Sequence, residues 1–435
     1  MPLVKSESTA FHRSAPYLPL LLVVLTAFLY AAWSAYVEAA HRTYPLDIDG
    51  WGLLIDQLKQ SQYSVASLFQ NSFLKKGPVI PFLFGLCFYV ARFDESIILL
   101  NVVAFSLAAG CLFWGFCYLR SRRSAAVVAI FLWIVYLRTH EYVFGYYFAE
   151  PIIALISALL FVTVAYAANQ RAAAAALISG SIAGLLVLAR PPFLFVISGI
   201  PILYWNHCEP RAKQLMICFA IGFLLVFGPW PIRNFVMYRE FIPFTTEGSL
   251  VLFQGTYIDG DSAVINDLKA MQKFKGIAQK TDGNSELDQY HYWKELALKQ
   301  VREDPFGQIQ LIFRKALRFW VYLPQYSWIP SPKTAGAAIF GLTLGAIGLM
   351  RHRRDLLMQL CALWTVGLWG FHAIVHAELR YNFPILPMML MMAVQGGCFV
   401  VSRFGSPDHV RFRRVFFRVG SLVRFWDAYG RESRS

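Results

Sequence analysis

The sequence is short of charge. Only 15% of its 435 residues are charged, whereas 57% are hydrophobic. A soluble domain carries about 25% charged residues, and a chain this apolar would have no way to hide its surface in water, so an ordinary soluble protein is excluded. Cysteine is sparse and scattered. The seven Cys residues fall mostly inside apolar segments and form no CxxC pair, which excludes a metal knuckle or a disulfide framework. No strong internal repeat is visible, which argues against the inverted-repeat plan of a secondary transporter. A cleavable signal peptide is not expected either. The first apolar run, Pro16 to Val37, is too long for a signal core and no small-x-small site follows it.

Long apolar runs are there instead. They predict an all-α, polytopic transmembrane protein with roughly ten spans of about twenty residues each. The spans read as 16–37, 96–119, 124–138, 149–168, 173–189, 192–206, 214–232, 334–350, 356–376 and 382–402. The net charge of +14 sits in short connections and in the tail, not in a soluble basic patch. That distribution suits anionic headgroups and argues against a nucleic-acid partner. Segment 78–91 is short and carries Pro78 and Pro81 near its start. If it lies along the outer interface instead of crossing, every basic cluster falls inside: Lys5 and Arg13, Arg120 to Arg123, Arg171, Arg211 and Lys213, Arg351 to Arg354, and the tail from Arg403. Both termini are then cytoplasmic.

Four regions follow. Residues 1–236 form an N-terminal transmembrane module with a first outer loop. Residues 237–333 form a second outer loop with amphipathic helices, needing no separate core. Residues 334–402 are C-terminal spans, and 403–435 a basic cytoplasmic tail lying on the leaflet. In the second loop, Asn284 or Ser285 can cap a helix to about Arg302. Asp304 caps another, with Pro305 at its first position, running to about Tyr322. Its Arg314, Lys315 and Arg318, beside Phe313, Leu317, Phe319 and Trp320, make it a basic amphipathic helix at the outer membrane surface.

With this topology the spans are nearly free of charge, and the exceptions gather at their outer ends. Asp47 and Asp49 follow the first span; either can cap the next helix or act as a carboxylate base. Glu150, ahead of Pro151 and just after Tyr147, suits a helix start or a substrate contact. Arg190 precedes Pro191 and Pro192 at an outer hairpin, where a cation runs against the positive-inside bias and favours phosphate binding. Arg233, in Gly228-Pro-Trp-Pro-Ile-Arg-Asn234, reads structurally as a snorkelling Arg beside an interfacial Trp at a Pro-broken helix end. Glu378 and Arg380 can form an ion pair beside Tyr381. His372 and His376 have helical i, i+4 spacing but no evident third ligand, so they read as packing or polar-cavity residues. No cofactor is assigned, and a divalent metal is left open.

These elements, in this order, resemble the GT-C membrane glycosyltransferases, closest to the bacterial protein-mannosyltransferase-like and lipid A aminoarabinose-transferase-like branch. The resemblance rests on Asp47 with Trp51 four residues later, Lys75-Lys-Gly-Pro78, the basic cluster Arg120 to Arg123, Glu150-Pro151, Arg190-Pro191 and Pro229-Trp-Pro-Ile-Arg-Asn234. Thr246-Glu-Gly248, Gln254-Gly255, Asp304-Pro305 to Trp320, and Glu378-Leu-Arg-Tyr-x-x-Pro384 complete it. It covers about 16–400, nearly the whole chain. Relatives often carry two adjacent acids in the first loop, whereas Ile48 separates Asp47 from Asp49 here.

The resemblance implies a GT-C fold with outer juxtamembrane helices and an integral-membrane enzyme of multi-pass topology, in the inner membrane if bacterial. It implies inverting transfer of a sugar from a polyprenyl-phosphate or dolichyl-phosphate donor to a glycan, lipid or protein acceptor on the non-cytoplasmic face. Asp47 or Asp49 would be the catalytic base. Arg190, Arg233 and Arg380 would hold the donor phosphate, and Glu150, Tyr147 and Glu378 would serve the acceptor side. Two other classes compete: a flippase or transporter for lipid-linked glycans, and an O-antigen polymerase or ligase. The first predicts charges lining both halves of the membrane, yet the inner halves are bare. The second does not call for an acid directly after the first span.

Overall fold

The computed structural model describes residues 17–41, 56, 76–91, 95–119, 123–136, 144, 146–257, 276–277, 279–281, 284–321 and 332–404. Every regular element among them is helical. The N-terminal half holds α1 (Tyr17–His41), α2 (Val79–Ala91), α3 (Ser96–Tyr118), α4 (Arg123–Tyr136), α5 (Glu150–Gln170), α6 (Ala173–Ala189), α7 (Leu194–His207), α8 (Ala212–Phe227) and α9 (Pro229–Tyr238). Next come α10 (Glu247–Thr256), α11 (Glu286–Glu303) and α12 (Pro305–Arg318), then α13 (Pro332–Arg351), α14 (Leu356–Ile374) and α15 (Leu386–Phe404).

Among the described residues, six helical stretches are long and apolar enough to cross a membrane: Tyr17–Ala40, Ser96–Tyr118, Glu150–Gln170, Ala212–Tyr238, Leu356–Ile374 and Leu386–Arg403. The protein is therefore a helical, multi-pass membrane protein in its described part. Val79–Val90, Arg123–Ile134, Ala173–Ala189 and Ala335–Arg351 are shorter apolar helices. The sequence-based spans 124–138, 173–189 and 334–350 fall on three of these, and 192–206 falls on α7. The expected break at Gly228-Pro229 is absent. Pro229 and Pro231 lack an N–H, but Gly228 N donates to Leu224 O at 2.9 Å and Ile232 N to Gly228 O at 3.3 Å, so the helical path runs on from α8 into α9.

The spanning helices share one apolar core. α5 lies near its middle, packed on α3 and α6 and touching α14. There Trp364 of α14 donates to Ser157 of α5 at 2.8 Å, and Phe161 meets the Trp364 ring edge-on at 5.6 Å. α6 packs on α8, α8 on α7, α7 on α14, α14 on α15, and α15 on α4 and α13.

Small residues set how closely these helices approach. A Cβ on Gly180 of α6 would run into the Phe219 carbonyl of α8, and one on Gly222 of α8 into the Leu177 carbonyl of α6. Lipid tails are as apolar as leucine, so close backbone contact of this kind is a main source of helix association in a membrane. The segment between α9 and α13 carries a small cluster of Phe253, Tyr257, Trp293 and Ala297 between α10 and α11.

Gly180→Ala and Gly222→Ala should each cost about 1–3 kcal/mol through overpacking. Thermal unfolding of the purified protein in detergent would show both midpoints lowered. Gly336→Ala, with nothing within 4 Å of its Cβ position, should leave the midpoint in place. Identical midpoints for all three would contradict the close approach of α6 and α8.

Candidate functional site

Glu150 is the first residue of α5, followed by Pro151, as the sequence predicts. Its carboxylate suits the positive end of the helix dipole. The turn before it is held by Asn101 of α3, whose side-chain amide donates to Phe148 O at 3.0 Å and Tyr146 O at 3.4 Å. Glu150 is thereby fixed in a buried position, 2% exposed. A carboxylate that deep needs cations beside it.

Two arrive. Arg190 ends α6, and a residue before proline is pushed out of the helical region. Its backbone is extended, at φ −150° and ψ 93°, and a 3-10 turn over Pro191–Phe193 follows. The guanidinium lies 3.8 Å from Glu150 Oε1 and 4.4 Å from the centre of the Tyr381 ring. Arg380 comes from the segment after α14. Its Nε is 3.7 Å from Glu150 Oε1 and donates to Glu378 Oε2 at 2.7 Å, while its guanidinium sits 4.7 Å from the Phe148 ring centre.

Glu378 takes its other bond from His376 Nε2, at 3.1 Å. Burial works against its charge, but the Arg380 guanidinium and His376 outweigh that and hold its carboxyl well below the usual carboxylate range. His372 Nδ1 meets the His376 carbonyl at 2.7 Å, which requires the Nδ1–H tautomer, and its ring stacks on Tyr381 at 4.6 Å. A small pocket with room for about one water molecule opens among Glu150, Arg190, His372 and Tyr381. His372 and His376 thus bond through a side chain and a backbone carbonyl. Among the described residues no group of three His, Cys, Asp or Glu could hold a metal ion.

Of the predicted site residues, Glu150, Arg190, Glu378 and Arg380 come together. Arg233 belongs to another set of contacts. It is buried 5.1 Å from the Trp230 ring and 5.7 Å from the Tyr238 ring, and donates to Asn234 Oδ1 at 3.0 Å. It does not line the pocket. Its Trp is not an interfacial anchor: Trp230 is buried and donates to Phe244 O at 2.7 Å, while Asn234 donates to Ile242 O at 2.8 Å. This motif therefore fastens the chain between α9 and α10. Tyr147 packs its ring against Phe84 and Phe88 of α2, at 6.4 and 5.9 Å. Asp47 and Asp49 lie outside the described residues.

The sequence understated His376. It stands two residues before Glu378, whose backbone is extended at φ −122° and ψ 153°, and Arg380 follows in a 3-10 turn over Leu379–Asn382, so that both flank the Glu378 carboxylate. Lys76 also packs near the end of α6: it pairs with Glu247 at 3.4 Å, while its neighbour Gly77 lies directly on the Leu188 carbonyl. No family model matches the chain, and no curated protein matches it.

Arg380→Met would leave Glu150 and Glu378 with one cation fewer, at a cost of about 3–5 kcal/mol. Glu378→Gln in the same chain should return part of it, read as recovery of the melting temperature. Glu378 has a depressed folded-state pKa, so its stabilising share is fully present above the ordinary carboxylate range and is lost as pH falls below that range through the depressed folded value. Unchanged melting of Arg380→Met would contradict the pairing.

Proposed function

We propose that this protein is an integral-membrane inverting glycosyltransferase with about ten spans and a GT-C architecture. Its donor is a sugar on a polyprenyl or dolichyl phosphate, and its acceptor lies on the non-cytoplasmic face. One observation carries the reading: two arginines and two carboxylates converge, with Glu150 buried and the other three partly buried, where α5 begins, α6 ends and the chain leaves α14. Charge at such a depth is costly and marks a polar site for a membrane-borne substrate. The ordered motifs of the sequence supply the family, and the apolar helices supply the surface along which a lipid tail can lie.

In the reaction, the acceptor's nucleophilic atom attacks the anomeric carbon of the donor sugar. The bond from that carbon to the phosphate oxygen breaks, inverting the configuration. The phosphate leaves on its lipid, and the acceptor proton passes to a carboxylate. Arg190 and Arg380 present planar, permanently charged forks suited to the leaving phosphate and its growing charge. Glu150 keeps both forks oriented and sits close enough to help hold an acceptor. Asp47 is the first choice for the base and Asp49 the alternate, because Asp47 precedes Trp51 by the spacing seen in the family.

Asp47→Asn should abolish lipid-linked sugar turnover while leaving a folded protein that still binds donor lipid. Loss of turnover only in Asp49→Asn would move the base to Asp49. Full activity in both single variants and the double variant would sink the mechanism. The topology is checked separately: a reporter fused after Arg123 should read as cytoplasmic, and an external signal would refute the assignment of 78–91 to the outer interface.

A further inference from the structure

α12 turns its charges inward. Arg314, Lys315 and Arg318 are buried, while Phe306, Ile309, Phe313 and Leu317 are exposed. Lys315, 1% exposed, places its ammonium among three carbonyl oxygens: Gly255 at 3.0 Å, Ile374 at 2.5 Å and Val375 at 3.2 Å. These oxygens lie at the C-terminal ends of α10 and α14. Terminal carbonyls lack partners within their own helix, and both helix dipoles place negative charge there. An ammonium has three donors, one for each. Burial, and then the neighbouring Arg318, lower the Lys315 pKa to about 8, so it stays protonated at neutral pH.

The two helix ends could not meet otherwise. A Cβ on Gly255 would collide with the Val375 carbonyl. The segment that leaves this junction is the one carrying His376, Glu378 and Arg380. Its far end is also tied to the chain of α12: Asn382, fully buried, donates to Phe319 O at 2.8 Å. One short stretch, Lys315 to Phe319, therefore grips the segment at both ends.

We propose that Lys315 is a positioning residue. With the Asn382–Phe319 bond it forms a clamp that sets Arg380 and Glu378 against Glu150 and so shapes the donor-phosphate site. This rests on the glycosyltransferase reading for its substrate, but not for the clamp itself. It also rules Lys315 out as a phosphate ligand, since its donors are already used on carbonyls.

The test uses the full chain in lipid nanodiscs, with Lys315→Met and, separately, Asn382→Ala. Two readouts are taken: deuterium uptake over residues 375–382, and steady-state turnover of a polyprenyl-phosphate sugar. Uptake should rise in both variants, and donor KM should rise on the order of tenfold with a smaller change in kcat. Lys315→Arg should not rescue, because a broad planar fork cannot replace a compact ammonium among three carbonyls. Rescue by Arg would show a direct phosphate contact and overturn the clamp. So would unchanged uptake, or raised uptake with unchanged KM. If the wild type turns over no such donor, the proposed function fails, and uptake alone then decides the clamp: a rise supports it and no rise overturns it.

Discussion

A buried carboxylate at the head of a membrane helix constrains everything around it. Glu150 gains from the dipole of α5, but a charge so far from water is tolerated only with cations close by. Arg190 and Arg380 supply them from opposite halves of the chain. For both to reach one carboxylate, α6 must end where α5 begins, and the chain leaving α14 must cross over them. The close backbone approach of α6 to α8, the Asn101 bonds under the 146–149 turn and the ring of Tyr381 beneath Arg190 all serve that meeting. The cost of unpaired charge thus acts as a device for register, making competing arrangements of the same helices unfavourable.

The packing of α12 extends the same logic. A basic amphipathic helix at a membrane commonly keeps its cations toward water and headgroups. α12 does the reverse, with cations turned to carbonyls and an apolar row facing outward. Two helix ends and one buried lysine satisfy each other, and the row of Phe306, Ile309, Phe313 and Leu317 on the opposite side stays exposed. Trp369 of α14 donates to the Ala316 carbonyl at 2.9 Å, which ties this helix to the C-terminal part of a candidate spanning one.

Local signals were the legible part of the sequence. Asp304 caps α12 through the Gly307 N–H at 2.8 Å, and Ser285 caps α11 through the Asp288 N–H at 3.1 Å, as their residue types predict. Glu150-Pro151 opens a helix, and Arg190-Pro191 closes one. Partners distant in sequence were harder to read. Periodicity places Arg314, Lys315 and Arg318 on one face of a helix, but not whether that face turns in or out. The Trp230 and Asn234 motif looked like a membrane anchor because the carbonyls of Phe244 and Ile242 that receive it carry no sequence signal. The grouping of Arg190 with Arg380, and apart from Arg233, depends on how helices pack across nearly two hundred residues. The expected base pair, Asp47 and Asp49, lies outside the described residues, so its role rests on spacing and resemblance.

On the proposed reading, planar cations at the outer helix ends serve cleavage at a lipid phosphate, whereas passage of an intact lipid-linked sugar would also need a polar path through the inner half. The most direct measurement supplies the purified protein, in liposomes, with a polyprenyl-phosphate sugar labelled in both the lipid and the sugar, together with a panel of acceptors. The account predicts release of free lipid phosphate, with the sugar label joined to an acceptor in inverted configuration. Movement of the doubly labelled donor between leaflets without cleavage would contradict it.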